Sequence, residues 1–232
     1  MGSDFRYIDE NLKQIQYNIS EAAAKYRSPE DRIRLMAVTK TVSYEAVNHA
    51  VSLGVELLGE NRVQEYQSKK DFYSKSAEVH FIGHLQTNKV KYIINTVSMI
   101  QSVGSVKLAS EINRLAEANG RIMDVLCEVN IGGEESKSGI SPVELYELLE
   151  RASEMKNIRV CGLMTIPPPV ESDIYLGRMQ ELFCGVRAKN IGGIEMNELS
   201  MGMTHDYAAA VKYGSTLVRI GTGLFGARNY NK

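Results

Sequence analysis

A chain of 232 residues, 44% hydrophobic and 24% charged, has the composition of a globular protein and the length to bury a sizeable core. Its formal net charge of −1 argues against any whole-molecule pull toward nucleic acid or anionic membrane. No apolar run approaches the ~18–20 residues of a membrane span, and the polar N-terminal stretch lacks the apolar core of an export signal. With Cys127, Cys161 and Cys184 forming no C-x-x-C pair, a reduced, cytoplasmic protein is expected.

Met1-Gly2-Ser3 reads as a tag remnant. The first element is a helix over 4–26, whose Ile8, Leu12, Ile15 and Ile19 recur at three- and four-residue spacing. A buried strand over 33–40 follows, then a helix over 44–54 stopped by Gly54. Strands are expected at 56–60, 79–84 and 99–103, separated by helices over 62–73 and 87–96. A helix over 105–119 leads to a strand over 122–130. A helix over 142–155, started by Ser141-Pro142 with Glu144 in its first turn, leads to a strand over 158–166. The prolines of "TIPPP" (165–169) predict a stiff loop there. A helix over 172–189, a strand over 197–202, a helix over 204–213 and a strand over 215–221 complete the series.

Eight strands alternating with helices predict a single α/β domain over 1–232, a (β/α)8 TIM-type barrel with the 4–26 helix added in front. A doubly wound open sheet is the alternative. No linker or shift in composition divides the chain.

In such a barrel, chemistry sits at the C-terminal strand ends. Those ends are Thr39-Lys40, Gly59-Glu60-Asn61, Gly83-His84, Ser102, Glu128 to Asn130, Met164-Thr165, Ser200-Met201-Gly202, and Arg219 with Gly221-Thr222. Lys40 closes the apolar run "LMAV", so its amine is either a nucleophile toward an aldehyde or a snorkelling surface group. Gly221 to Gly226, "GTGLFG", spells G-x-G-x-x-G. Only six residues follow it, none acidic, so the second strand and ribose-binding acid of a dinucleotide fold are missing.

A different phosphate site remains open, because barrels often build one from the loops after strands seven and eight. Ser200-Met201-Gly202 and Gly221-Thr222-Gly223 occupy those places, with Ser200 and Thr222 as hydroxyl donors; tight turns and helix caps are the plainer explanation. An imine-forming lysine with a phosphate cup points to pyridoxal 5′-phosphate. Arg219 shares a strand face with Gly221 and would meet the pyridine nitrogen, which it cannot protonate. His80 and His84 lack the glutamate of H-E-x-x-H, and no metal site is expected.

Seven segments carry a family likeness: "AVTKTVS" (37–43), "LGENRVQE" (58–65), "HFIGHLQTNK" (80–89), "VNIGGEESKSG" (129–139), "GLMTIPP" (162–168), "LSMGMTHDY" (199–207) and "VRIGTGLFGAR" (218–228). On these the chain closely resembles the YggS/PROSC family of pyridoxal-phosphate homeostasis proteins, which is similar to the N-terminal barrel of alanine racemase. The resemblance implies that Lys40 carries the cofactor as a Schiff base. It also implies that Ser200, Gly221 and Thr222 hold the phosphate, that Arg219 faces the pyridine nitrogen, and that Asn61, His84 and Met201 line the pocket. Thr204 departs from the family's usual serine but keeps the hydroxyl. The implied function is intracellular vitamin B6 homeostasis, as a monomeric carrier or buffer whose partners are the cofactor and cofactor-free enzymes. The alternative is a weak racemase or transaminase of fold type III acting through Lys40. In the related racemases a partner-subunit tyrosine from an extra β-domain serves the second face, and this chain is too short to contain that domain.

Overall fold

The computed structural model describes residues 4–134 and 137–227. Met1-Gly2-Ser3, Glu135, Ser136 and Arg228 of the family segments lie outside them. Helix α1 (Arg6–Tyr26) precedes eight strands: β1 (Arg34–Val38), β2 (Leu57–Glu60), β3 (Glu78–Phe81), β4 (Met99–Val103), β5 (Met123–Glu128), β6 (Ile158–Met164), β7 (Ile194–Ser200) and β8 (Leu217–Ile220). All pair in parallel in sequence order, and β8 closes on β1. Helices α2 (Tyr44–Ser52), α3 (Val63–Lys69), α4 (Val106–Ala118), α5 (Leu145–Ser153), α6 (Ser172–Lys189), α7 (Tyr207–Lys212) and α8 (Thr222–Phe225) surround them. The closed barrel is therefore the architecture, and the open sheet is excluded.

Strand alternation sorts the core into two layers. Outward residues such as Ala37, Leu58, Phe81, Ile100, Val125, Leu163, Leu199 and Val218 join one large cluster with the helices. Inward residues form two smaller groups, Met36, Leu57, Ile82 and Leu217 on one side and Met99, Leu126, Cys161 and Met164 on the other. Each fully buried aliphatic or aromatic side chain contributes roughly 1.5–3 kcal/mol. Buried polar residues, His80, Gln101, Ser200 and Arg219, also lie within the barrel.

Helix α1 buries Ile8, Leu12, Ile15, Ile19 and Ala22 against the outer core. Its Asn11 Nδ2 donates to the carbonyl of Leu224 at 3.0 Å, and its Asn18 Nδ2 donates to the Tyr207 hydroxyl at 2.7 Å. It thus backs the two short helices that flank β8.

Three expected helices differ in form. The segment over 87–96 is a 3-10 helix over Thr87–Tyr92, because β-branched residues crowd it and Val90, Ile93 and Ile94 are buried. Helix α5 starts at Leu145, after a turn held by the Ser141 hydroxyl accepting from the Glu144 N–H at 3.3 Å. Helix α7 starts at Tyr207, because Asp206 Oδ1 instead accepts the Met203 N–H at 2.6 Å. Strand β7 starts earlier than expected, at Ile194, where it pairs with Val160 of the long β6. The single turn α8 was not expected.

Candidate functional site

The C-terminal rim starts at Lys40, half-buried just past β1. The Thr39 N–H donates to the Gly59 carbonyl at 3.1 Å and its hydroxyl donates to Glu60 Oε1 at 2.8 Å. On the other side of Lys40, Thr41 sits at φ 63°, a left-handed conformation costly for a β-branched residue. Helix α3 holds it there. Glu65 Oε1 accepts the Thr41 N–H at 2.6 Å, and Lys69 Nζ donates to Glu65 Oε1 at 2.6 Å and to the carbonyls of Thr39 and Val42 at 3.0 Å each. Lys40 is thus the residue between two clamped neighbours.

Strands β1 and β8 are neighbours, so the two sequence signals meet. A Cβ added to Gly221 would lie 3.5 Å from Val38 Cβ, two residues before Lys40. Beyond Gly221, the chain turns into α8, where the Gly223 N–H donates to Thr204 Oγ1 at 3.1 Å. Thr204 Oγ1 also lies 3.3 Å from Thr222 Oγ1. A Cβ at 223 would lie 3.0 Å from Thr204 Cγ2, so a larger residue there would have to push Thr204 aside. Two hydroxyls therefore stand together at this turn.

Arg219 is buried inside the barrel. Its NH1 donates to Ser200 Oγ at 2.7 Å and its NH2 donates to the Thr165 carbonyl at 2.8 Å, while Nε has no partner among the described residues. The chain of donors then has one direction. Ser200 accepts from Arg219, so its own proton goes to Gln101 Oε1 at 2.7 Å, and Gln101 Nε2 donates to His80 Nδ1 at 2.8 Å. His80 is therefore neutral with its proton on Nε2, and burial lowers its pKa accordingly. Complete burial brings the Arg219 guanidinium down to about 10, against the pull of Glu128, and it stays charged at neutral pH.

Two of the expected site residues are fully buried. The Ser200 hydroxyl bonds Arg219 and Gln101, while Thr204 is the hydroxyl beside Thr222. Met201, one residue on, points the other way by strand alternation and is fully buried in the outer core. Asn61 is half-buried, and its Oδ1 is buried with no partner among the described residues. Its backbone carbonyl packs so tightly on Gly83 that a Cβ there would be 2.0 Å away. His84 is exposed and lines a cavity bounded by the loops after β3, β4 and β5, together with Ser102 and Glu128. Burial pushes the Glu128 carboxyl up to about 7. Among the described residues no three His, Cys, Asp or Glu side chains could share a metal ion, and no helix is long and apolar enough to cross a membrane.

This closed parallel barrel belongs to the class described as alanine racemase, N-terminal domain, whose sequence pattern matches residues 11–229. Within that class the chain belongs to the pyridoxal phosphate homeostasis proteins. The "Pyridoxal phosphate homeostasis protein" of Aquifex aeolicus is 42% identical over 229 residues, covering 95% of this chain and 98% of its own. That of Escherichia coli K12 is 37% identical over 97% of this chain and 98% of its own. Among solved structures, PipY of Synechococcus elongatus with PLP bound superposes with a TM-score of 0.79 at 28% identity, covering 94% of this chain and all of PipY.

Proposed function

We propose that this protein binds pyridoxal 5′-phosphate on Lys40 and serves vitamin B6 homeostasis by taking up and releasing the aldehyde, which keeps its free concentration low. The observation that carries this reading is the adjacency of Lys40 to the Gly221-Thr222 turn on one rim, in a chain related along its length to proteins of that name. The donor set fits the group. Gly221, Thr222 and Thr204 would receive the phosphate, the free Nε–H of Arg219 would meet the pyridine nitrogen, and Asn61 and His84 would border the ring. The cofactor supplies an electrophilic carbonyl carbon and an electron-withdrawing ring. Arg219 donates only, so the ring nitrogen stays unprotonated and withdraws electrons weakly, which suits holding over turnover. In this reading the recipients are cofactor-free enzymes, the setting is the cytoplasm, and the working unit is one chain.

Titrating the purified protein with the cofactor tests the proposal. A visible imine band is expected, with a borohydride-stable adduct on Lys40; a protein that stays colourless refutes it. Lys40→Ala should abolish the adduct. Thr222→Val should raise the dissociation constant by roughly one to two decades, the equivalent of one charge-assisted hydrogen bond at about 1.5–3 kcal/mol. Racemisation or keto-acid formation from L-amino acids, lost in Lys40→Ala, would replace the carrier with an enzyme.

A further inference from the structure

We infer that the cavity on the β3–β5 side of the barrel mouth binds the ammonium group of a primary amine, with the Glu128 carboxylate and the Ser102 hydroxyl as its acceptors. The cavity holds about 820 Å³ and is walled by His84, Asn88, Ser102, Ser105, Glu128 and Lys137. Lys40, Thr204, Arg219, Gly221 and Thr222 do not line it, so it is separate from the half of the mouth assigned to the cofactor's lysine and phosphate.

Two groups on its floor lack protein partners. Ser102 is 3% exposed, and its hydroxyl oxygen is buried without a hydrogen bond among the described residues. Glu128 is 6% exposed, and its carboxylate accepts no hydrogen bond from them. Arg219, which attracts Glu128 through space, bonds Ser200 and Thr165 and makes no hydrogen bond to Glu128. A buried hydroxyl left in this way is uncommon in folded proteins and points to a missing partner, and the Glu128 carboxylate beside it is open to a donor from the cavity.

The chemistry of the floor selects that partner. A carboxylate accepts and carries negative charge, so the complement is a cationic donor, and an ammonium group offers three N–H. The cofactor's phosphate, an anion, does not match the Glu128 carboxylate, and in the cofactor reading only the ring, bordered by His84, would reach the edge of this cavity. The volume leaves room for a substituted alkyl chain behind the ammonium. The inference rests on the cofactor reading for its meaning: an aldehyde held on Lys40 is handed to amines, and this cavity gathers amines at the same rim. The binding itself does not depend on that reading.

Calorimetric titration of the cofactor-free full chain with n-butylammonium is the test, with n-butanol as the uncharged control. Saturable binding of n-butylammonium and none of n-butanol is expected. Glu128→Gln should weaken it about tenfold or more, and Ser102→Ala about threefold or more, with folding of each variant checked by its melting curve. Equal binding of n-butanol, no binding of n-butylammonium, or an unchanged constant in folded Glu128→Gln overturns the site. Nα-acetyl-L-lysine amide and L-alanine separate the two sources: tighter binding of the first makes the guest a lysine side chain of a protein, and of the second a free amino acid. Because no cofactor is present, failure here leaves the imine titration unaffected, and failure of that titration leaves this one unaffected.

Discussion

Ser200 and Thr204 are four residues apart and carry the same functional group, yet they serve different parts of the molecule. Ser200 faces into the barrel at the end of β7 and links Arg219 to Gln101, whereas Thr204 follows the strand and meets the α8 turn. Removing each hydroxyl should therefore give opposite signatures. Ser200→Ala strands Gln101 Oε1 and an Arg219 N–H in the interior, which costs about 1–3 kcal/mol. For a chain of this size each kcal/mol lowers the melting temperature by roughly 2–4 °C. Thr204→Val leaves no buried group orphaned, so its melting curve should barely move while its cofactor dissociation constant rises about tenfold. Melting curves and cofactor titrations of both variants check this. A large affinity loss in Ser200→Ala without a fall in melting temperature would return the phosphate to Ser200.

The loop after β1 depends on another element for its shape. Residues 39–42 are held by Glu65 and Lys69 of α3, and that clamp keeps Thr41 in the left-handed region next to Lys40. Glu65→Ala removes the acceptor of the Thr41 N–H and the charge partner of Lys69 together, so the loop should relax toward commoner conformations. The expected result is about tenfold less imine at subsaturating cofactor, with Glu65→Gln intermediate because its amide oxygen still accepts from Thr41. Imine absorbance in the three proteins reads this directly, and equal absorbance in Glu65→Ala would show that the clamp does not hold Lys40. The sequence makes the eight strands visible because parallel barrel strands are buried on both faces and read as apolar runs. It makes Lys40 and the Gly221-Thr222 turn visible because each interrupts such a run with chemistry. The clamp stays hidden: Glu65 and Lys69, four apart on one helix, look like any surface ion pair, and only the fold brings β1's loop beneath them. That Met201 joins the outer core is hidden for a related reason, since a strand's alternation is legible but which phase faces inward depends on where closure sets it.

At the scale of the whole molecule, the barrel interior contains ionisable groups whose protonation differs between folded and unfolded chains, and the signs oppose each other. His80 is held neutral, below its ordinary value, so stability is lost as pH falls and the unfolded chain takes up that proton. Glu60, bonded to Thr39 and to the Tyr73 hydroxyl, is raised by burial, and Glu128 is raised from 4.5 to about 7. For a raised carboxyl the folded chain keeps a proton that the unfolded chain has released, so stability is lost as pH rises through the window from 4.5 to about 7. For Glu128 that loss is on the order of 3 kcal/mol and is complete above the upper limit. Glu128→Gln has the shape of the protonated acid at every pH. It should match the parent protein at the acid end of the window and exceed it by about that amount above the upper limit, while His80 and Glu60 continue to act in both proteins. Denaturant unfolding of the pair at the two ends of the window measures the difference. An equal gap at both ends would mean that Glu128 titrates as an ordinary surface carboxylate. The floor of the β3–β5 cavity would then cost the fold nothing to keep charged. A gap that opens with pH, and that n-butylammonium closes by stabilising the parent protein alone, would tie the stability of the barrel to the occupancy of that cavity.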